Sequence, residues 1–167
     1  MMRRFGPLMT LLAALAAPST LQAACSDPPG PKVAWEGCDK AAAELSGLDL
    51  SAANLEGANL EGANLEGSVL RGAKMKGAIL TDANLRLASL READLTEANL
   101  LRANLQYTNL GQANLEKAYL RNVDLTGANL NGVNLENANL EKTDFSGATW
   151  IDGQSRCEVG SVGQCKR

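Results

Sequence analysis

Histidine is absent from all 167 residues, and the aromatic side chains are only two Phe, two Tyr and two Trp. Without imidazole there can be no Ser-His-Asp or Cys-His arrangement, and no His-based metal site. With so few rings, any core has to be aliphatic. An excess of positive charge is missing too. Sixteen Lys and Arg face nineteen Asp and Glu, a net charge of −3, which argues against direct nucleic-acid binding. No phosphate-cradling loop is present, because Gly57, Gly62, Gly67, Gly72 and Gly77 recur at a fixed interval of five and belong to turns. The only sizeable apolar run, around Leu8 to Ala17, is too short for a transmembrane anchor.

What the chain does contain is a period. Of the 21 positions 50, 55, 60 and so on to 150, 18 hold Leu, and Met75, Phe145 and Trp150 fill the rest. Two places earlier, 15 of the 21 are Ala, the others being Leu48, Ser68, Thr108, Val123, Val133 and Thr143. Five residues of helix turn through about 140°, which would scatter the leucines around the whole cylinder. A straight strand sends every second leucine to the opposite face, since its side chains alternate with period two. Both are excluded, so the chain must turn once per repeat, bring each Ala and Leu to one interior, and coil. Full burial of a Leu is worth roughly 1.5 to 3 kcal/mol, so Leu100→Asp should harm folding far more than a surface change.

Runs such as Ala53-Asn54-Leu55-Glu56-Gly57, Ala58-Asn59-Leu60-Glu61-Gly62 and Ala63-Asn64-Leu65-Glu66-Gly67 resemble the pentapeptide-repeat family. The resemblance covers about residues 45 to 150. It implies an all-β fold, a right-handed quadrilateral β-helix (a pentapeptide-repeat solenoid) with four repeats per coil and hence about five coils, flanked by short caps. At a strand spacing of about 4.8 Å the rod would be roughly 25 Å long. The family is defined by its scaffold, so the resemblance says little about activity.

Corners follow from the last place of each repeat. Glycine stands there at Gly57, Gly62, Gly67, Gly72 and Gly77, and again at Gly127, Gly132 and Gly147, as suits a turn with positive φ. From Asp82 through Leu87, Glu92, Glu97, Arg102, Tyr107 and Gln112 to Lys117 that place is not glycine, which predicts a different corner geometry. Asn or Asp precedes the central residue in 15 of 21 repeats. Calcium-binding β-rolls also repeat Asp and Gly, but with more aspartate per turn, so these residues are expected to form hydrogen-bonded ladders and corner bonds. No cofactor and no metal is called for.

Residues 1–24 read as a signal peptide, with Arg3 and Arg4 ahead of the apolar stretch and the small Ala23 and Ala24 at its end. Its removal takes the net charge from −3 to about −5. The chain is therefore expected to be periplasmic or secreted. Four cysteines, Cys25, Cys38, Cys157 and Cys165, flank the repeats and permit three pairings. Cys25 with Cys38 and Cys157 with Cys165 is favoured, because a rod of roughly 25 Å separates the flanks. A rival fate for Cys25 stays open: Leu21-Gln22-Ala23-Ala24-Cys25 resembles a lipoprotein signal, which would anchor the chain to a membrane by acylation. The remaining organisation is an N-terminal arm and cap over 25–44, repeats over 45–150, and a disulfide loop over 151–167. Asp39 to Leu45 reads as a short capping helix. The loop from Cys157 to Cys165 resembles the terminal loop of other exported members of the family.

Carboxylates such as Glu56, Glu61 and Glu66 read as a solvated ring and give no sign of the burial that catalysis needs. Residues 20 apart should stack, pairing Glu56 with Lys76, Glu66 with Arg86 and Arg121 with Glu141, while Arg71 under Arg91 breaks the pattern. Some cytoplasmic members of the family mimic duplex DNA and protect topoisomerases. Here the acidic stretch gives way to Arg71, Lys74 and Lys76, leaving no continuous acidic face, and the leader points away from the cytoplasm. Outward-facing Ile79, Leu87, Leu101, Tyr107 and Tyr119 form a candidate protein-contact stripe. The reading is a non-catalytic, exported scaffold that presents a rigid surface to an unidentified protein partner in the cell envelope, with no enzyme activity. The alternative is a structural envelope or secreted protein without a specific ligand. Partner identity and oligomeric state are not legible at this level.

Overall fold

In the computed structural model, residues 24–167 are described; the leader expected over 1–24 falls, apart from Ala24, outside them. Among the described residues, twenty parallel bridges join residue i to residue i+20 at every fifth position, from Ala34 with Asn54 to Asn129 with Thr149. The chain thus makes a circuit of four five-residue units and returns above itself, as in a β-helix. Each ladder step repeats one pattern: Asn99 donates its N–H to the Ala78 carbonyl (2.9 Å), and its own carbonyl accepts the Leu80 N–H (2.7 Å).

Burial follows the period. Leu50 through Leu130 at the central places, with Met75, are essentially inaccessible, and so are the alanines two places before them. Three polar residues replace Ala inside, and each has a partner. Ser68 Oγ donates to the Leu65 carbonyl (2.8 Å), Thr108 Oγ1 to that of Leu105 (2.7 Å) and Thr143 Oγ1 to that of Leu120 (2.7 Å). A hydroxyl is tolerated there because a corner carbonyl lies within reach, which removes the cost of an unpaired buried group.

The corners differ from expectation. Asp82, Leu87, Glu92, Glu97, Arg102, Tyr107, Gln112 and Lys117 all have φ between 56° and 63°, close to the 62° to 70° of the corner glycines. One geometry serves throughout. The corner N–H bonds to the coil above regardless of side chain, as Gly57 does to Lys76 (2.9 Å) and Leu87 does to Gln106 (3.0 Å). That ladder outweighs the roughly 1 to 2 kcal/mol that a left-handed conformation costs a residue with a Cβ.

The N-terminal side also departs from the sequence reading. No helix forms over Asp39 to Leu45. Those residues share the repeat conformation, and Asp39 and Glu44 bridge Asn59 and Asn64. The ladder begins three units before Leu50, with Trp35, Lys40 and Leu45 in the central places. Trp35 is buried, its indole N–H bonds to the Asp27 carbonyl (3.2 Å), and the Lys40 ammonium lies 4.0 Å from its ring centroid while donating to the Cys25 carbonyl (2.7 Å). Residues 24–30 therefore form the end cover that the helix was expected to supply.

At the other end the chain reverses after Trp150 and pairs antiparallel, Thr149 with Arg156 and Asp144 with Val162. Phe145 and Trp150 meet edge to face, with centroids 5.3 Å apart. Cys25 and Cys38 stand at disulfide distance with Cα atoms 5.5 Å apart, and Cys157 and Cys165 with Cα atoms 5.0 Å apart.

Candidate functional site

Each unit shows solvent the residue before its central one and the two corner residues after it, so the outer surface is a set of columns in steps of 20 residues. The Asx columns are tied down twice. Asn104 Oδ1 accepts the N–H of Gln106 two residues on (3.1 Å), a bond repeated at most of the Asn and Asp positions. Side-chain amides also bond between coils, Asn84 to Asn64 (3.3 Å), Asn129 to Asn109 (3.2 Å) and Asn134 to Asn114 (3.0 Å). The walls are thereby stiffened, with side-chain donors and acceptors consumed internally.

Among the five stripe residues, Ile79, Leu87, Tyr107 and Tyr119 are exposed and Leu101 is half-buried. They do not form one strip. Ile79 and Tyr119 share a column, but Asn99 bridges to both and stands between them. Leu101 lies at the corner that follows this wall. Leu87 and Tyr107 stack at the next corner, across the polar column of Asn84, Asn104 and Asp124. The Arg86 guanidinium approaches the Tyr107 ring at 5.9 Å from its centroid. Leu87 and Tyr107 are thus register neighbours one coil apart at the same corner, and Tyr119 borders a shallow concavity lined by Glu97, Lys117, Asn137 and Asn139. Further exposed apolar residues, Val69, Ile151, Val159 and Val162, were not singled out from sequence. Val69 was legible, since it breaks the Asn/Asp place of its repeat; the other three lie on or beside the C-terminal reversal, where the period gives no guide.

Charged groups are paired along the columns. Arg86 meets Glu66 (2.8 Å) and Arg121 meets Glu141 (3.5 Å), as spacing predicts. Glu56 and Lys76 form no ion pair among those of the described residues. The expected clash of Arg71 with Arg91 is relieved by Glu92, which lies 3.2 Å from the first and 3.5 Å from the second. Arg102 clasps Asp82 through two bonds (2.7 and 2.5 Å), which hold the Asp82 carboxyl below its ordinary range and raise the guanidinium. Burial pushes Asp124 up, but bonds from Thr126 and Gln106 outweigh it and leave this carboxyl lowered. Both carboxylates are engaged by donors of the ladder itself. Among the described residues, no group of His, Cys, Asp or Glu is arranged to hold a metal ion, and no helix is long and apolar enough to cross a membrane.

The pentapeptide-repeat family profile matches residues 43–82, 83–122 and 118–149, in eight copies. Solved structures with the same architecture include HetL, a pentapeptide repeat protein involved in heterocyst differentiation regulation from the cyanobacterium Nostoc sp. strain PCC 7120. It is 29% identical with a TM-score of 0.51, over 74% of this chain and 64% of HetL. The chain thus spans somewhat under two thirds of HetL's length. Rfr23 from the cyanobacterium Cyanothece 51142 is 33% identical over 70% of this chain and 90% of its own, with a TM-score of 0.42. A pentapeptide repeat protein from the Arabidopsis thaliana thylakoid lumen is 26% identical over 78% of this chain and 85% of its own, with a TM-score of 0.46. No curated protein matches the chain by sequence.

Proposed function

Because the chain belongs to the pentapeptide-repeat family, whose members are scaffolds, we propose that it is an exported, non-catalytic scaffold presenting a rigid wall to a protein partner in the cell envelope. The observation that carries this reading is the pair Leu87 and Tyr107, one coil apart at the same corner and each more than half exposed (52% and 54%). Large aromatic and aliphatic side chains held out on a stiff support bind with little further loss of conformational freedom. Ile79 and Tyr119, on the neighbouring wall with Asn99 between them, and Leu101 at its corner are secondary contact points.

Export is supported by the leader-like residues 1–24 and by two cysteine pairs at disulfide distance, since such bonds persist in oxidising compartments. The Cys25 thiol lying against Cys38 favours a disulfide over acylation, and so a periplasmic or secreted protein over a lipoprotein. The domains we propose are a leader over 1–24, an N-terminal arm and cap over 25–44, a right-handed repeat winding over 45–150 and a disulfide loop over 151–167, with the bridges from Ala34 onward carrying the ladder into the cap. Alternating charges along the columns disfavour a DNA mimic.

The test is capture from an envelope extract with the oxidised protein and its Leu87→Ser/Tyr107→Ser double variant. A saturable partner held by the parent and lost by the variant supports the reading. Equal capture by both overturns the Leu87–Tyr107 surface. Absence of any saturable partner favours the purely structural role.

A further inference from the structure

The C-terminal end of the ladder is closed on two walls and open on the other two. Over residues 143–150 the returning chain supplies a strand: the Phe145 N–H donates to Ser161 (2.8 Å), Gly163 to Thr143 (2.8 Å), Trp150 to Ser155 (2.7 Å) and Cys157 to Ala148 (2.9 Å). Over residues 133–140 no strand follows. In the coil beneath, the equivalent groups are all used: the Asn134 N–H donates to Ala113, Leu115 to Asn134, Asn139 to Ala118 and Leu120 to Asn139. The N–H groups of Leu135 and Leu140 and the carbonyls of Val133 and Ala138 have no such partner among the described residues. Packing shows the same gap. Leu135, Ala138, Leu140 and Trp150 are only half-buried, whereas Leu115, Ala118, Leu120 and Leu130 one coil below are fully buried.

The closing strand has an outer edge of its own. Its bridge to Thr149 runs through the N–H of Cys157 and the carbonyl of Ser155, so the N–H and carbonyl of Arg156 face the other way and have no backbone partner among the described residues. The same holds for the Val162 carbonyl. Exposed Ile151, Val159 and Val162 (40%, 93% and 50%) add apolar surface at this end. A half-open end and a half-projecting strand, each one layer deep, lie side by side.

We propose that a second copy of this chain occupies the open half-end, joined tail to tail about a twofold axis. An axis running between the closed and open halves lays the closing strand of each copy over the open walls of the other. Inverting the second copy reverses the sense of its coil. Because its closing strand runs against that coil, the strand then runs parallel to the open edge of the first. The pairing that results is the ladder's own: the Arg156 N–H of the second copy meets the Val133 carbonyl, the Leu135 N–H meets the Arg156 carbonyl of the second copy, and the Leu140 N–H meets its Val162 carbonyl. The same patch serves both copies, so the assembly closes at two and the free edges that invite open-ended pairing disappear. An isolated extended peptide would satisfy the edge but leave the projecting strand and its valines bare.

The experiment is sedimentation velocity over a wide concentration range, on the protein isolated as the cell processes it, with disulfides intact. Three forms are compared: the parent, Val162→Asp, and Arg156→Pro, which removes an N–H that the single copy does not use. A reversible dimer that either variant weakens at least about tenfold, with thermal unfolding of the dilute protein unchanged, supports the proposal. A parent that stays monomeric at every concentration overturns it. So does a dimer indifferent to both changes, or growth into longer assemblies, which would mean head-to-tail stacking.

Discussion

The ring of Tyr107 lies across the place where Gly127 would carry a side chain: a Cβ there would fall 2.6 Å from ring atoms Cδ1 and Cε1. Gly127 has φ of 68°, and Gly57, with nothing within 4 Å of the same point, has φ of 62°. The two positions separate conformational from steric cost. Gly57→Ala should lower stability by about 0.5 to 1 kcal/mol, the left-handed penalty less the freedom glycine loses on folding. Gly127→Ala should cost clearly more, because the Tyr107 ring must also move. Chemical denaturation of the two variants checks the order, and Tyr107→Ala should bring Gly127→Ala down to the Gly57→Ala value.

Non-glycine corners hold stored strain, and Gln112, with φ of 63° and no side-chain hydrogen bond among the described residues, is the cleanest place to release it. Gln112→Gly should raise stability by about 0.5 to 1 kcal/mol, the left-handed penalty less the extra freedom glycine has when unfolded. Tyr107→Gly should gain less, since it gives up the ring's cover of Gly127 and its contact with Arg86. Thermal midpoints a few degrees apart, in that order, are the expected result.

Asp152 anchors the turn after Trp150 and should make the closing loop sensitive to acid. Its carboxylate accepts the Ser155 hydroxyl (2.6 Å), the Ser155 N–H (2.7 Å) and the Gln154 N–H (2.9 Å), and Arg167 lies 3.3 Å away. Those bonds, led by Ser155, lower its pKa from 3.8 to about 2. A carboxyl depressed in the folded state contributes stability that is whole above the unfolded value and lost as pH falls through the folded one. Protection of the Gly153 and Ser155 amides against hydrogen exchange, taken relative to the intrinsic rate at each pH, should therefore fall between about pH 4 and pH 2. In Asp152→Asn that protection should be low already and lack the step.

Reduction should act on the two ends separately. The eight-residue separation of Cys157 and Cys165 predicts a loss of about 2.5 kcal/mol in the chain-entropy model when that pair is opened. Cys157 also donates to Ala148 and accepts from Gly147, so the loss should appear as fraying of residues 143–150 ahead of the interior coils. Cys165→Ser with Cys157→Ser, followed by exchange mass spectrometry, tests this. Uniform loss of protection along the ladder would mean that the end closure does not behave as a local unit.

Leu50 to Trp150 were legible because a repeat with one inward Leu and one inward small residue is a statement about packing, visible without coordinates. The first coil was not, because Trp35 and Lys40 stand where leucine would, and a run of alanines with an acidic cap suits a helix equally well. Its conformation is imposed by bridges to Asn54, Asn59 and Asn64 one coil away. Of the candidate contact residues, Ile79, Leu87, Tyr107 and Tyr119 are exposed. Their division into two groups comes from the column of Asn84, Asn104 and Asp124, which becomes visible only when walls and corners are assigned in space.

By itself the sequence determined that this chain coils around an aliphatic interior. The five-residue spacing of Leu and Ala is incompatible with a straight helix or strand, and burying those side chains is the dominant favourable term. Tertiary structure alone decided the rest. Corners at Leu87, Tyr107 and Gln112 adopt a glycine-like φ because the neighbouring coil rewards it with a hydrogen bond. Where the ladder begins, and which walls stay open at its end, depends on the path of residues 24–30 and 151–167, and those paths are set by non-local pairing that no local pattern encodes.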